Sequence, residues 1–217
     1  MRKLFLVPLS LAFFANAAWA ATEQQIVDEA AAILRHFQAM PEKAIPRRVL
    51  RNAKGLAIMS VFKAGFVFSG KGGEGVVVAR TADGGWSGPS FIGTGGAGWG
   101  LQIGAQRTEF VFVLNTDEAV RAFSRNDNVT IGGDVSATAG PVGRNLQAGL
   151  TLQAAVYTYS RSQGLFAGVS LEGAVIATQK TANARYYGHP VRAWNILSGR
   201  VPPPAGAERL EAALHRY

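Results

Sequence analysis

Cysteine is absent from all 217 positions. That excludes disulfides, thiolate nucleophiles and cysteine-ligated metals together, and it removes the residue at which an exported lipoprotein is acylated. Histidine occurs only at His36, His189 and His215, and no two of these stand at metal-ligand spacing such as H-E-x-x-H. Carboxylates are also scarce, 14 against 22 lysines and arginines, for a net charge of +8. Glu74, Asp127 and Asp134 fall singly in or beside turns, where aspartate bonds to its own backbone. With so thin a supply of acids, bases and nucleophiles, no catalytic residue, metal site or cofactor is expected. The basic excess favours anionic partners.

Long apolar runs are missing too, with one exception. Residues 4–14 are apolar, follow Arg2 and Lys3, and lead to Ala18-Trp19-Ala20. A positive start, a short apolar stretch and a small-residue exit spell a cleaved export signal over 1–20. The run is too short to cross a bilayer, which takes about 20 apolar residues, and Pro8 and Asn16 interrupt the region. Loss of Arg2 and Lys3 lowers the net charge from +8 to +6. Export sets nucleic acid aside as a partner and predicts a periplasmic or secreted protein, peripheral at most to a membrane. The remainder suits one domain with a real core.

What the chain has in plenty is glycine, 26 residues, and the texture changes where glycine becomes dense. Over 22–38, Ile26, Ala30, Ile33, Leu34 and Phe37 recur at helical spacing behind the N-cap Thr22. A second, short helix is predicted over 46–54, with Pro46 in its first turn and Gly55 as its cap. From 56 onward the runs read as strands: 56–61, 64–68, 75–81, 90–92, 98–106 and 109–114. The last is apolar on both faces and therefore central. The glycine stretches at 70–75 and 93–96 read as turns. Thr116 caps a helix through residue 124. Strands are predicted at 129–139, 145–160 and 165–179, and helical patterns at 191–197 and 207–215 flank Pro202-Pro203-Pro204, with the C-terminal end loosely held. The fold class is α+β and predominantly β. N-terminal helices precede a curved, glycine-rich, mostly antiparallel sheet or barrel-like core, because glycine relieves crowding at bends, and short helices follow it.

Two glycine motifs imitate nucleotide loops. Residues 65–71 open like a phosphate loop, but Gly72 stands where Ser or Thr would hold magnesium. Residues 93–98 spell G-x-G-x-x-G, yet strand-type residues follow and not a helix. Neither has the strand–loop–helix context that makes such loops bind phosphate. Gly168-Val169-Ser170-Leu171-Glu172-Gly173 lacks the spacing of a nucleophile elbow.

The densest positive cluster is Lys43, Arg47, Arg48, Arg51 and Lys54. The second helix carries Arg47, Arg51 and Lys54 on one side and Val49, Leu50 and Ala53 on the other. Such a helix suits an anionic surface. The same stripe also suits the solvent side of a helix packed on a sheet. Phe66, Phe68, Trp86 and Trp99 cluster in the first β half and are candidates for core, for an apolar cavity or for interfacial contacts.

Taken together, a run of short motifs resembles the SYLF domain, or Ysc84 family. They are Ala44-Ile45-Pro46 through Ala53-Lys54-Gly55, Lys63-Ala64-Gly65-Phe66, Gly75-Val76-Val77-Val78-Ala79-Arg80 and Trp86-Ser87-Gly88-Pro89-Ser90-Phe91. Gly104, Ala139-Gly140-Pro141-Val142-Gly143-Arg144, Tyr159-Ser160-Arg161-Ser162, the stretch 164–173 and the stretch 183–188 continue them. The resemblance implies a SYLF-like domain over 41–190, between an N-terminal helix at 21–40 and a helical tail at 191–217. It implies a lipid-binding module of the cell envelope, in which Lys43, Arg47, Arg48, Arg51 and Lys54 meet anionic, phosphoinositide-like or other phospholipid head groups. The alternative is an envelope structural or protein-interaction module without a lipid ligand. The chain departs from the family pattern in lacking the lipoprotein cysteine and an SH3 or FYVE partner domain.

Overall fold

The computed structural model describes residues 22–40, 44–125, 128–131, 133–134, 136–140, 154–164 and 174–216, with backbone alone at 66–69, 97–103, 139 and 164. Helix α1 (Glu23–Ala39) opens on a capping box, in which Thr22 Oγ1 accepts from the Gln25 N–H and the Gln25 side chain accepts from the Thr22 N–H. Its buried face is the predicted stripe with Val27 and Ala31 added. Charge fixes the helix laterally. Glu23 pairs with Arg185 at 2.6 Å, Asp28 with Arg209 at 3.4 Å, and Glu29 with Arg107. Near the other end, His36 Nδ1 lies 3.1 Å from Glu109, whose buried carboxylate also accepts from Arg161 at 3.1 Å.

The sheet is built on two 25-residue strands, β1 (Gly55–Ala79) and β2 (Ser90–Leu114), paired antiparallel from Gly55↔Leu114 to Val77↔Ser90. A straight strand of that length would span roughly 80 Å. Instead β1 doubles back on itself. A Cβ on Gly75 would lie 2.1 Å from the Ile58 carbonyl oxygen, one on Gly73 would lie 2.8 Å from that of Ser60, and the Arg80 N–H donates to Lys54 O at 2.8 Å. The first arm of β1 thus lies against its second arm, and β2 folds around both. The register shift between Phe66 and Phe68 falls at the fold. β5 (Val156–Gly164) extends the sheet from the second arm of β2, and β4 (Ala137–Ala139) adds to it in parallel. β6 (Val175–Thr178) pairs with the first arm of β2, and β3 (Asn128–Thr130) with β6. Among the described residues six continuous strands make eight side-by-side segments, a mixed sheet curled into a half-barrel.

Alternation sorts the side chains into two cores. Leu56, Ile58, Val76, Val78, Val111 and Val113 face α1 and α6 (Glu208–Leu214), while Ala57, Met59, Val77, Phe110, Phe112 and Leu114 face the inside of the curl. The predicted central run at 109–114 is buried on both faces, which suits its lack of polar alternation. Each large apolar side chain withdrawn from water there contributes on the order of 2 kcal/mol. α3 (Asp117–Ser124) and α5 (Ala193–Leu197) close the inner core through Ala119, Phe123 and Leu197.

Several expectations are corrected. The glycine stretches at 70–75 and 93–96 are strand and not turn, because glycine at 73 and 75 lets two arms of one strand approach without a Cβ between them. The strand expected over 129–139 is two, β3 and β4, on opposite margins of the sheet. Residues 180–187 form an unforeseen helix, α4 (Lys180–Tyr187), which buries Asn183. Its amide accepts from the Phe91 N–H at 2.8 Å and donates to Ser90 Oγ at 3.3 Å. The C-terminal end is packed and not loose: Leu210, Ala213 and Leu214 are buried in the core shared with α1. The parts of the expected strands at 145–153 and 165–173 lie outside the described residues.

Two outcomes follow from this packing. Gly75→Val should destabilise the protein by about 3 kcal/mol through overpacking, whereas Gly72→Ala, with no atom within 4 Å of the added carbon, should leave the urea midpoint nearly unmoved. Second, burial pushes the Tyr159 and Tyr187 hydroxyls up, and burial with Asp28 and Glu211 pushes Tyr186 up to about 12, from an ordinary value of 10.0. A folded state that holds the phenol protonated keeps that contribution in full below pH 10 and loses it as pH rises through 12. The melting temperature should therefore fall across that window, and less steeply in Tyr186→Phe.

Candidate functional site: a basic end of the sheet

Helix α2 (Arg47–Asn52) is short because Pro46 starts it and Ala53 already has extended backbone. Val49, Leu50 and Ala53 are buried with Ile45, leaving Arg47, Arg48, Arg51 and Lys54 exposed. Among the described residues no carboxylate pairs with these four. Lys43 lies outside the described residues. The sequence thus predicted both faces of this helix correctly.

The junction after α2 lies at one end of the sheet. The Lys54 N–H donates to Leu114 O at 2.8 Å, and a Cβ on Gly55 would lie 3.1 Å from Val120 in α3. The turn that follows β1 joins the same end, through the Arg80 N–H on Lys54 O. Here the fold gathers cations that sequence reasoning missed. Thr116 Oγ1 caps α3 by accepting from Ala119 N–H at 3.1 Å, and the helix buries Ala119, Phe123 and Ser124, leaving Arg121 and Arg125 outside. α4 is capped by Gly188, and Gly199 follows the Ser198 cap of α5, both glycines in the left-handed region with φ of 75° and 73°. Gly199 donates to Ile196 O at 3.0 Å, and Arg200 N–H folds back to Asn195 O at 3.1 Å. Between α3 and this segment opens a cleft of about 770 Å³, lined by Arg121, Arg125, His189, Arg192, Trp194 and Arg200 among others. Arg121 pairs with Glu118, while Arg125, Arg192 and Arg200 pair with no carboxylate among the described residues. Trp194 is 45% exposed although its helix neighbours Ala193, Ile196 and Leu197 are buried.

A second open cleft, of about 850 Å³, has the opposite character. Glu29, Glu74, Arg107, Phe62 and Val175 are among its lining residues. Arg107 is already paired with Glu29. Burial, then Glu29 and Glu23, pushes the Glu74 carboxyl above its ordinary value. This surface disfavours further negative charge.

Of the aromatic candidates, Trp86 takes the core alternative. Trp86 is 8% exposed, and the Arg80 guanidinium lies 4.0 Å from its ring centroid. It belongs to the core against α1. The side chains of Phe66, Phe68 and Trp99 lie outside the described residues. Phe62, 54% exposed, and Trp194 are the large aromatic side chains found at the described surface. Both loop-like motifs, 65–71 and 93–98, lie within β1 and β2. Among the described residues no three His, Cys, Asp or Glu side chains converge as metal ligands, and no helix is long and apolar enough to cross a membrane.

Residues 95–217 match the family model Ysc84, described as Las17-binding protein actin regulator. The chain is 46% identical over 196 residues to the SH3 domain-containing YSC84-like protein 1 of Rattus norvegicus, covering 87% of this chain and 58% of that one. Its identity to LAS seventeen-binding protein 3 of Saccharomyces cerevisiae is 50% over 173 residues, 78% of this chain and 38% of the relative. To Protein YSC84 of the same yeast it is 48% over 191 residues, 84% and 41%. The chain thus spans little more than half of the first of these relatives and less of the yeast proteins. Among these names, one states binding to LAS seventeen and one an SH3 domain.

The geometry of the cleft depends on Gly199. A Cβ there would meet Thr81 Cγ2 at 2.6 Å in addition to opposing the positive φ. Gly199→Ala is expected to cost about 1–2 kcal/mol, read as a lowered urea midpoint.

Proposed function

The chain belongs to the Ysc84 family, and from that premise we propose that it is a docking module for anionic phospholipid surfaces, engaging them through the basic end of its sheet. The observation that carries this reading is the state of α2: Arg47, Arg48, Arg51 and Lys54 are exposed and free of described carboxylate partners, while Val49 and Leu50 anchor the helix in the core. A basic side chain near an anionic bilayer contributes about 1 kcal/mol, so four supply up to about 4 kcal/mol, roughly a thousandfold in partitioning. A rigidly anchored helix presents that charge without ordering a flexible segment first. Lys43 extends the same run in sequence. Export through residues 1–20 would bring the surface against envelope lipids from the periplasmic or outer side. No chemical step is part of this reading.

A second reading, a protein partner in place of the bilayer, is favoured by the family description, which refers to Las17 binding and actin regulation, and by the name of one yeast relative, which refers to LAS seventeen. On this reading the same cations meet acidic side chains of a protein.

Vesicle flotation separates the two. The protein is expected to float with phosphatidylglycerol vesicles and not with phosphatidylcholine ones. Raising salt from about 0.1 M to about 1 M shortens the screening length from about 10 Å to about 3 Å and should release it. The pair Arg47→Glu and Arg51→Glu should abolish flotation at an unchanged melting temperature. If that variant floats as well as its parent, α2 is not the contact. If the parent floats with nothing, the protein-partner reading takes precedence.

A further inference from the structure

We infer that the cleft between α3 and α5 is a binding site for a phosphate ester, a dianionic phosphate joined to a flat or apolar group. This goes beyond the membrane reading and does not need it, because the cleft is built from other residues than α2.

Three features of the cleft point to that ligand. The first is the unbalanced charge. Arg121, Arg125, Arg192 and Arg200 line one opening, and Glu118, already bound to Arg121, is the one carboxylate in an ion pair with any of them among the described residues. Guanidinium groups brought together in this way repel one another, and a bound anion relieves that repulsion. Arginine, with its planar fork of donors, matches phosphate oxygens two at a time. A metal cation or a basic peptide would meet only more like charge.

The second feature is Trp194. α5 buries Ala193, Ile196 and Leu197 but leaves this indole 45% exposed among the arginines. An aromatic face beside a cationic floor suits a ligand with an uncharged ring or chain next to its phosphate. The third is rigidity. The segment from 188 to 200 is held by left-handed glycines at both ends, by Pro190, and by the Arg200 N–H on Asn195 O. His189 donates Nδ1–H to Tyr187 O at 2.9 Å, which fixes its tautomer and leaves Nε2 as its second polar atom. The arginines therefore meet a ligand from a backbone that is already set. The volume of about 770 Å³ lies within the range of small-molecule sites, roughly 300–1,000 Å³.

The ester could be a soluble molecule or a lipid head group, and the test separates the two. Isothermal titration of the full chain with phenyl phosphate, inorganic phosphate and benzyl alcohol should rank them in that order, with the neutral alcohol not bound. Arg125→Gln with Arg200→Gln should weaken phenyl phosphate about tenfold or more at an unchanged melting temperature. Trp194→Ala should remove the preference for phenyl phosphate over inorganic phosphate. Equal binding of phenyl phosphate by the arginine variant and its parent would overturn the assignment, as would no binding by the parent. Phenyl phosphate carries no bilayer, so its binding reports on the cleft whatever becomes of the α2 reading. Flotation of the arginine variant with phosphatidic acid vesicles assigns the source. Loss of flotation means the cleft takes the lipid's phosphate, and retention with loss of phenyl phosphate binding means a soluble ester.

Discussion

The close approach of β1 to itself is the constraint on which the other features rest. Between Gly73 and Ser60, and between Gly75 and Ile58, the backbones stand nearer than any side chain would allow. That contact turns two 25-residue strands into four central segments and gives the sheet its width. It also fixes its faces, because a slip of one residue would exchange the two cores, sending Ile58 and Val76 inward and Met59 and Val77 outward toward α1. Placing β1 centrally requires a sheet buried on both sides, and the unbroken apolar runs of Leu56–Met59 and Val76–Ala79 provide it.

The same folding separates charge. α1 lies on one face and uses its carboxylates on Arg185, Arg209 and Arg107, and Glu109 takes Arg161 with His36. These pairs hold four of the 14 acidic residues on and beside that face. The positive excess is left at the end where α2, α3 and the segment before and after α5 emerge. The cleft beside Phe62 carries Glu29 and Glu74. The two open clefts therefore differ in electrostatic character, and a ligand's sign decides between them before its shape does.

The family match begins at residue 95, inside β2, although the similarity to the animal and yeast relatives runs well upstream of it. A unit that began there would leave the arms of β2 without β1, with which they pair along nearly their whole length. Folding thus requires both halves, and the residues upstream of the match are as much part of the domain's core as those within it. The helices after residue 190 are also integral, since Leu197, Leu210 and Leu214 are buried.

Local rules were enough for much of this. The spacing of Ile26, Ile33, Leu34 and Phe37 marked a helix, Thr22 and Thr116 marked helix starts, and residues 109–114 announced a central strand, because periodicity and capping act over a few residues. The sequence also separated Val49 and Leu50 from Arg47 and Arg51, and its chain of motifs identified the family. It misled at 70–75 and 93–96, where glycine reads as a turn but serves two arms of sheet in contact, and it did not announce the helix at 180–187. Nothing in the sequence joined Arg121 and Arg125 to Arg192, Trp194 and Arg200. Those residues lie some seventy positions apart, and only the packing of α3 and α5 against the inner face of the curl makes one cleft of them. Sequence by itself determined the first three helices, the central strand at 109–114 and the two faces of α2, because those patterns are local. Tertiary structure decided which cations keep a carboxylate and which face an open cleft, because charge pairing depends on distances of a few ångströms that no local pattern encodes.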